Sequence, residues 1–101
     1  MNIGEILALV PGGCASVEVI GAGAFADELR ARLDDRARQN ADARPCAIID
    51  TSGEEAALVA ALQRVDDLGT VVLAGPQPAS PLTLDLYADL HVRGLTIVGL
   101  A

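Results

Sequence analysis

The chain has 101 residues, with 7 arginines, no lysine and 14 acidic side chains, so its net charge is −7 at pH 7. This length suits one domain, and the 51% of residues that are apolar can form a sizeable core. The acidic balance argues against nucleic acid as a partner, because phosphate binding needs a basic surface. No apolar run reaches the roughly 20 residues that span a bilayer, and a signal-peptide pattern is missing, so we expect a cytoplasmic domain without membrane contact.

Short apolar runs alternate along the chain with longer segments of helical spacing. Ser52 is expected to cap the second long helix, whose first turn carries Glu54 and Glu55. In chain order, the predicted elements are one or two helical turns over 3–10, a strand over 16–20, a helix over 24–40, a strand over 46–50, a helix over 54–67, a strand over 70–74, a short helix over 82–90 and a strand over 95–98.

Strands that are separated by helix-length segments predict parallel βα units rather than hairpins. Most of the strands are nearly continuous apolar runs, which is typical of strands covered on both faces. We therefore predict a single α/β domain over 1–101, with a minimal, four-stranded, mainly parallel sheet and about three helices.

A glycine-rich loop lies between the first strand and the first long helix. The sequence GAGAFA at 21–26 fits the pattern G-x-G-x-x-G/A. In that pattern, the first glycine permits a tight turn, the second lets the backbone approach a pyrophosphate, and the last small residue lets the helix pack on the strand. Gly21, Gly23 and Ala26 are therefore candidate cofactor-binding residues.

The order of motifs from the first strand onwards resembles the cofactor-binding, Rossmann-type domain of the medium-chain dehydrogenase/reductase family, to which zinc alcohol dehydrogenases belong. The matching pieces are VIGAG at 19–23, IIDTSG at 48–53, LGTVVLAG at 68–75 and DLYADLHVRGLTIVG at 85–99. The resemblance implies that Gly75 and Gly99 lie on the rim that faces the nicotinamide half of the cofactor. It also implies that the last strand pairs two subunits.

The chain departs from this family in ways that bear on function. The family's catalytic domain and zinc ligands are missing, so no metal site is expected. The second and third strands of the cofactor domain, which carry the adenosine half of the site, are missing too. Asp27 and Glu28 lie in the first turn of the helix after the glycine loop, where they would repel a pyrophosphate. We therefore expect no cofactor, with NAD(P) as the alternative.

Two sheet orders are compatible with the missing strands. Order 1-2-3-4, with right-handed crossovers, would place every helix on one face and leave the other face to the N-terminal segment or another subunit. Order 2-1-3-4 would place helices on both faces and Asp50 where a ribose-binding acid belongs. Glu18 favours the first order, because a charged residue suits a half-exposed edge strand, although Glu18 could instead pair with an arginine.

The candidate catalytic residues are His91, Tyr87, Asp50 and Cys14. His91 could act as a general acid or base beside Asp85 or Asp89, but it and Tyr87 also fit a packing role before the last strand. Cys14 lies in a glycine-rich loop and could be exposed, whereas Cys46 begins a strand and is expected to be a small core residue. Two cysteines are too few for a disulfide framework or a zinc site.

Two functions remain open at this stage. The first is a dimeric accessory or small-ligand-binding protein without hydride transfer of its own, paired through its C-terminal edge strand or with a larger enzyme. The second is a small enzyme, either an NAD(P)-dependent oxidoreductase subunit or a cofactor-free catalyst that uses the rim where the strands end. Fold alone does not decide between them.

Overall fold

The computed structural model describes residues 3–33, 44–75 and 85–99. Its strands form one sheet in the order β1-β2-β3-β4, and every neighbouring pair is parallel. The predicted α/β class and four-stranded, Rossmann-like sheet are confirmed. In chain order, the elements are α1 (Ile3–Ala8), β1 (Val17–Ile20), α2 (Ala24–Leu33), β2 (Ala47–Asp50), α3 (Glu55–Arg64), β3 (Thr70–Leu73), a π-helix (Leu86–His91) and β4 (Thr96–Gly99).

The helix ends differ from the predicted ones. α3 ends earlier than 67 because Val65 is extended and the N–H of Asp66 donates to the carbonyl oxygen of Pro45 at 2.8 Å. The predicted continuation of α2 to 40, and the first residues of the predicted helix 82–90, lie outside the described residues.

The segment before β4 is a π-helix rather than an α-helix. The N–H of Val92 donates to the carbonyl of Tyr87, and that of Leu95 donates to the carbonyl of Leu90, both five residues back. The Asp85 carboxylate accepts bonds from the N–H groups of Tyr87 and Ala88 and begins the helix.

The strand register assigns the core side chains to two faces of the sheet, because paired residues in parallel strands point the same way. We name these faces A and B. The helices α1 and α2 pack on face A, and α3 and the end of the π-helix pack on face B. The core residues of face A are Val17, Val19, Ala47, Ile49 and Val72, and those of face B are Ile20, Ile48, Val71, Leu73 and Ile97.

The sheet order 1-2-3-4 is confirmed, but the expectation that all helices share one face is wrong. α2 packs on face A through Ala26, Leu29 and Leu33, whereas α3 packs on face B through Leu58 and Leu62. The crossovers from β1 to β2 and from β2 to β3 step the same way along the sheet but pass over opposite faces. One of the two is therefore left-handed, against the strong preference for right-handed connections.

The two cysteines meet at the amino ends of the first two strands. Cys14 and Cys46 form a disulfide, with their Cα atoms 5.8 Å apart. Cys14 is buried, so the expectation that it could be exposed is wrong. Spacing along the chain does not reveal this contact, because it depends on the pairing of β1 with β2.

Candidate functional site

Opposite-face crossovers make the carboxyl ends of β1 and β2 the place where a crevice is expected. The chain leaves β1 towards face A and leaves β2 towards face B, so the two loops diverge above the sheet. Open α/β sheets bind ligands at such a point, outside the carboxyl ends of the strands. We call this place the β1–β2 crevice and define it by residues 21–23 and 51–53.

The two loop glycines have different surroundings. Both need a positive φ, +122° at Gly21 and +106° at Gly23, which side-chain-bearing residues rarely adopt. A Cβ atom at Gly21 would lie 2.0 Å from the Thr51 hydroxyl oxygen, whereas one at Gly23 would meet no atom within 4 Å. Gly21 is therefore needed for packing, and Gly23 leaves its backbone open to an approaching ligand.

Thr51 forms the floor of the crevice. Its N–H and its hydroxyl both donate to the carbonyl oxygen of Ile20, at 2.9 and 2.8 Å. Gly75 lies against the other side of the same residue, since a Cβ there would be 2.4 Å from the Thr51 carbonyl oxygen. Gly21 and Gly75 thus lie against Thr51 from opposite sides, so the floor is tightly packed.

Asp50 is the last residue of β2 and is only 3% exposed. Its Oδ1 accepts bonds from the Ser52 N–H and hydroxyl, at 2.9 and 2.7 Å. Because the sheet order is 1-2-3-4, Asp50 does not take the ribose-binding place that order 2-1-3-4 would give it. The cap expected from Ser52 is also wrong: its hydroxyl accepts the N–H of Glu54, the N-cap residue of α3, and bonds no amide in the first turn.

The acidic residues after the glycine loop pair within α2. Asp27 pairs with Arg30 and Glu28 with Arg32, each at 3.4 Å on the exposed surface. The Arg30 guanidinium also donates to the carbonyl oxygens of Val19 and Gly21, at 2.9 and 2.8 Å. It therefore covers the free edge of β1 and does not point to the crevice.

The other candidate catalytic residues are not brought together. His91 and Tyr87 stack on each other, with ring centroids 5.6 Å apart, and both are exposed. The π-helix that carries them joins the amino end of β4, and Cys14 lies at the amino ends of the sheet in a disulfide. Asp50 ends β2, roughly 10 Å along the strands from these groups. The side chain of Asp89 lies outside the described set.

The remaining predicted cofactor residues have separate positions. Ala26 is fully buried on face A, where its small side chain lets α2 pack closely on the sheet. Gly99 ends β4 and is exposed, two strands away from the crevice. A groove of about 440 Å³ lies between α1 and α2, and it is lined by Ile3, Gly4, Phe25, Glu28 and Arg32.

Sequence reasoning missed three features of this part of the molecule: the Thr51 floor, the bonds of Arg30 to the edge of β1, and the cysteine contact. Each joins residues that are distant in sequence or depends on which side of the sheet a helix takes.

Within 3–33, 44–75 and 85–99, no three potential metal ligands cluster and no helix is long and apolar enough to cross a membrane. The chain matches no family model and no curated protein.

Proposed function

We propose that the protein is an accessory domain that binds a small ligand in the β1–β2 crevice and does not transfer hydride by itself. It resembles a shortened cofactor domain of the medium-chain dehydrogenases. The observation that carries the proposal is the divergence of the two loops at neighbouring strands, with Gly23 open to the space between them. The separation of His91, Asp50 and Cys14 supports the lack of hydride transfer.

The surroundings of the crevice favour a ligand without phosphate. Glu54 and Glu55 begin α3 beside it, and Asp27 lies in the first turn of α2 paired with Arg30, so acidic groups outnumber basic ones around the crevice. The Asp50 carboxylate is engaged in its own turn and Arg30 occupies the edge of β1, and both features disfavour an adenosine group here. A cationic or neutral ring on a ribose, as in the nicotinamide half of a dinucleotide, suits these surroundings best.

The proposal can be tested by recording amide NMR spectra of the protein during titration with nicotinamide riboside and, separately, with AMP. We expect nicotinamide riboside to shift the amide signals of Gly21, Gly23 and Gly53 saturably, and AMP to leave them unchanged. Equal shifts with AMP would contradict the loss of the adenosine half. Unchanged signals with nicotinamide riboside at millimolar concentration would exclude this ligand class from the crevice.

A pair of glycine variants connects the shifts to the crevice. Gly23→Ala adds a methyl group to one of the residues that define it, whereas Gly12→Ala adds one in the loop between α1 and β1, and neither methyl meets an atom within 4 Å. We expect binding of nicotinamide riboside to weaken in Gly23→Ala alone. Equal binding by both variants would place the ligand outside the crevice, and the groove between α1 and α2 would be the next candidate site.

The acidic first turn of α2 should oppose phosphate binding. Replacing both acids, in Asp27→Asn/Glu28→Gln, is expected to raise affinity for pyrophosphate by about 3- to 30-fold, from ~0.3–1 kcal/mol for each charge at a helix N-terminus. Calorimetry at low salt measures this change, with Asp66→Asn as a control that removes a charge at the other end of the sheet. Unchanged or weaker binding would mean that the loop is not a phosphate site.

We further propose that the protein works in the cytoplasm as a homodimer joined through β4, or with a larger enzyme as its partner. Support comes from the two edges of the sheet. Arg30 covers the edge of β1, whereas Ile97 and Gly99 of β4 direct their backbone groups away from β3.

A further inference from the structure

Cys14 and Cys46 connect the N-terminal segment to the sheet. α1 has only six residues, and a helix this short does not persist without contacts to the rest of the protein. Its contacts are apolar: Ile3 and Ile6 are buried on face A, and Val10 follows them into the same cluster. The disulfide fixes the loop after α1 to the beginning of β2, and so it fixes the position of the helix.

After reduction, each thiol of this pair has a hydrogen-bond acceptor within reach. The carbonyl oxygen of Ser16 lies 3.4 Å from Cys14 Sγ and 3.2 Å from Cys46 Sγ, so each thiol could donate to it after reduction. Cys46 is partly exposed, whereas Cys14 is buried, so we assign Cys46 as the point of attack by an external thiol.

We propose that the Cys14–Cys46 disulfide is a redox switch that controls whether α1 is held on face A. The thiolate of a small dithiol attacks Cys46 Sγ, and the bond to Cys14 breaks. Cys14 leaves as a thiolate and takes a proton from water. The second thiol of the reductant then displaces Cys46, so the protein gains two thiols and the dithiol becomes a cyclic disulfide. With the cross-link gone, α1 is held by non-covalent contacts, among them its buried apolar side chains, and detaches more often.

Hydrogen exchange of the purified full-length chain tests the switch in its oxidised and reduced forms. The N–H groups of Leu9 and Val10 bond within the turn that ends α1, so they report its detachment. We expect their protection to fall at least tenfold on reduction. The protection of Val72, on the central strand β3, should fall less. Equal protection of Leu9 and Val10 in both forms would overturn the proposal, and so would a fall of the same size at Val72.

A variant without either thiol separates the switch from effects of the reductant. Cys14→Ala/Cys46→Ala should exchange like the reduced protein and should not respond to added dithiol. Thiol counting in defined mixtures of reduced and oxidised glutathione should give two free thiols at one extreme and none at the other. Two free thiols in every mixture would also overturn the proposal.

Discussion

Gly21 and Thr51 are distant in sequence but lie against each other in the crevice. The Thr51 hydroxyl occupies the space that a side chain at 21 would need, and its bond to the carbonyl of Ile20 holds it there. A glycine motif therefore has a structural role at its first position in addition to any role in binding. The second position, Gly23, has no such contact.

Substitutions at the two glycines should separate these roles. Gly21→Ala is expected to cost ~3–5 kcal/mol of unfolding free energy, from overlap with Thr51 and a strained φ, and Gly23→Ala only ~1–2 kcal/mol, from the φ alone. Denaturation by urea measures the unfolding free energy of both variants. Adding Thr51→Ala to Gly21→Ala should recover ~1 kcal/mol or more beyond additivity. Additive losses would show that the hydroxyl is not what excludes a side chain at 21.

Several contacts that could not be predicted from the sequence are made by arginine side chains. The sequence indicated that Glu18 could pair with an arginine, and it does pair with Arg64 of α3. It did not indicate which of the seven arginines, because a long side chain reaches partners that are set by tertiary packing. The same limit applies to Arg30, whose helix was predicted but whose carbonyl partners on β1 depend on which face α2 takes.

At the scale of elements, α3 shows how a helix end is stabilised by distant side chains. The Arg93 guanidinium donates to the carbonyl oxygens of Leu62 and Val65 and pairs with Asp67. Arg44 donates to the carbonyls of Gln63 and Arg64 at the same end. These bonds satisfy carbonyl groups that the last turn of a helix leaves free, and they bring the turn before β4 against α3.

Loss of Arg93 should therefore weaken the end of α3 and its attachment to β4. Arg93→Met is expected to lower the unfolding free energy by ~2–3 kcal/mol, because bonds from a charged donor to two carbonyls are lost. Arg93→Lys should recover only part of this, since an ammonium group cannot reproduce the planar fork. Thermal unfolding measures the change. Arg44→Met, at an exposed position, is the control and should lower the unfolding free energy by less. An equal loss in both variants would mean that the burial of Arg93 is unimportant.

Most element types, and the strand ends to within one residue, followed from the sequence, because apolar runs and helical spacing report local burial. The π-helix could not be predicted, because α and π turns have nearly the same apolar spacing over six residues. The face taken by α2 did not follow either, because its prediction rested on the statistical preference for right-handed crossovers, which one of the first two connections breaks. The crevice between β1 and β2 results from that exception, so the candidate site could be placed only in part.

At the scale of the whole molecule, the two edges of the sheet differ in their ability to pair. The Arg30 guanidinium occupies carbonyl oxygens on the outer edge of β1, which blocks strand addition there. On β4, the N–H of Thr96 donates to Gly69 in the turn before β3, so by alternation the backbone groups of Ile97 and Gly99 point outwards. Pairing of β4 with β4 of a second copy, about a two-fold axis, would use these groups on both chains.

A proline on that edge tests the dimer without removing a bond inside the sheet. The N–H of Gly99 points away from β3, and a side chain there meets no atom within 4 Å, so Gly99→Pro should leave the fold intact. We expect sedimentation to give a dimer for the unaltered chain and for Gly99→Ala, and a monomer for Gly99→Pro, because proline cannot donate to the second copy. A dimer in all three would place the interface elsewhere, and a monomer in all three would mean that the edge of β4 serves a different partner.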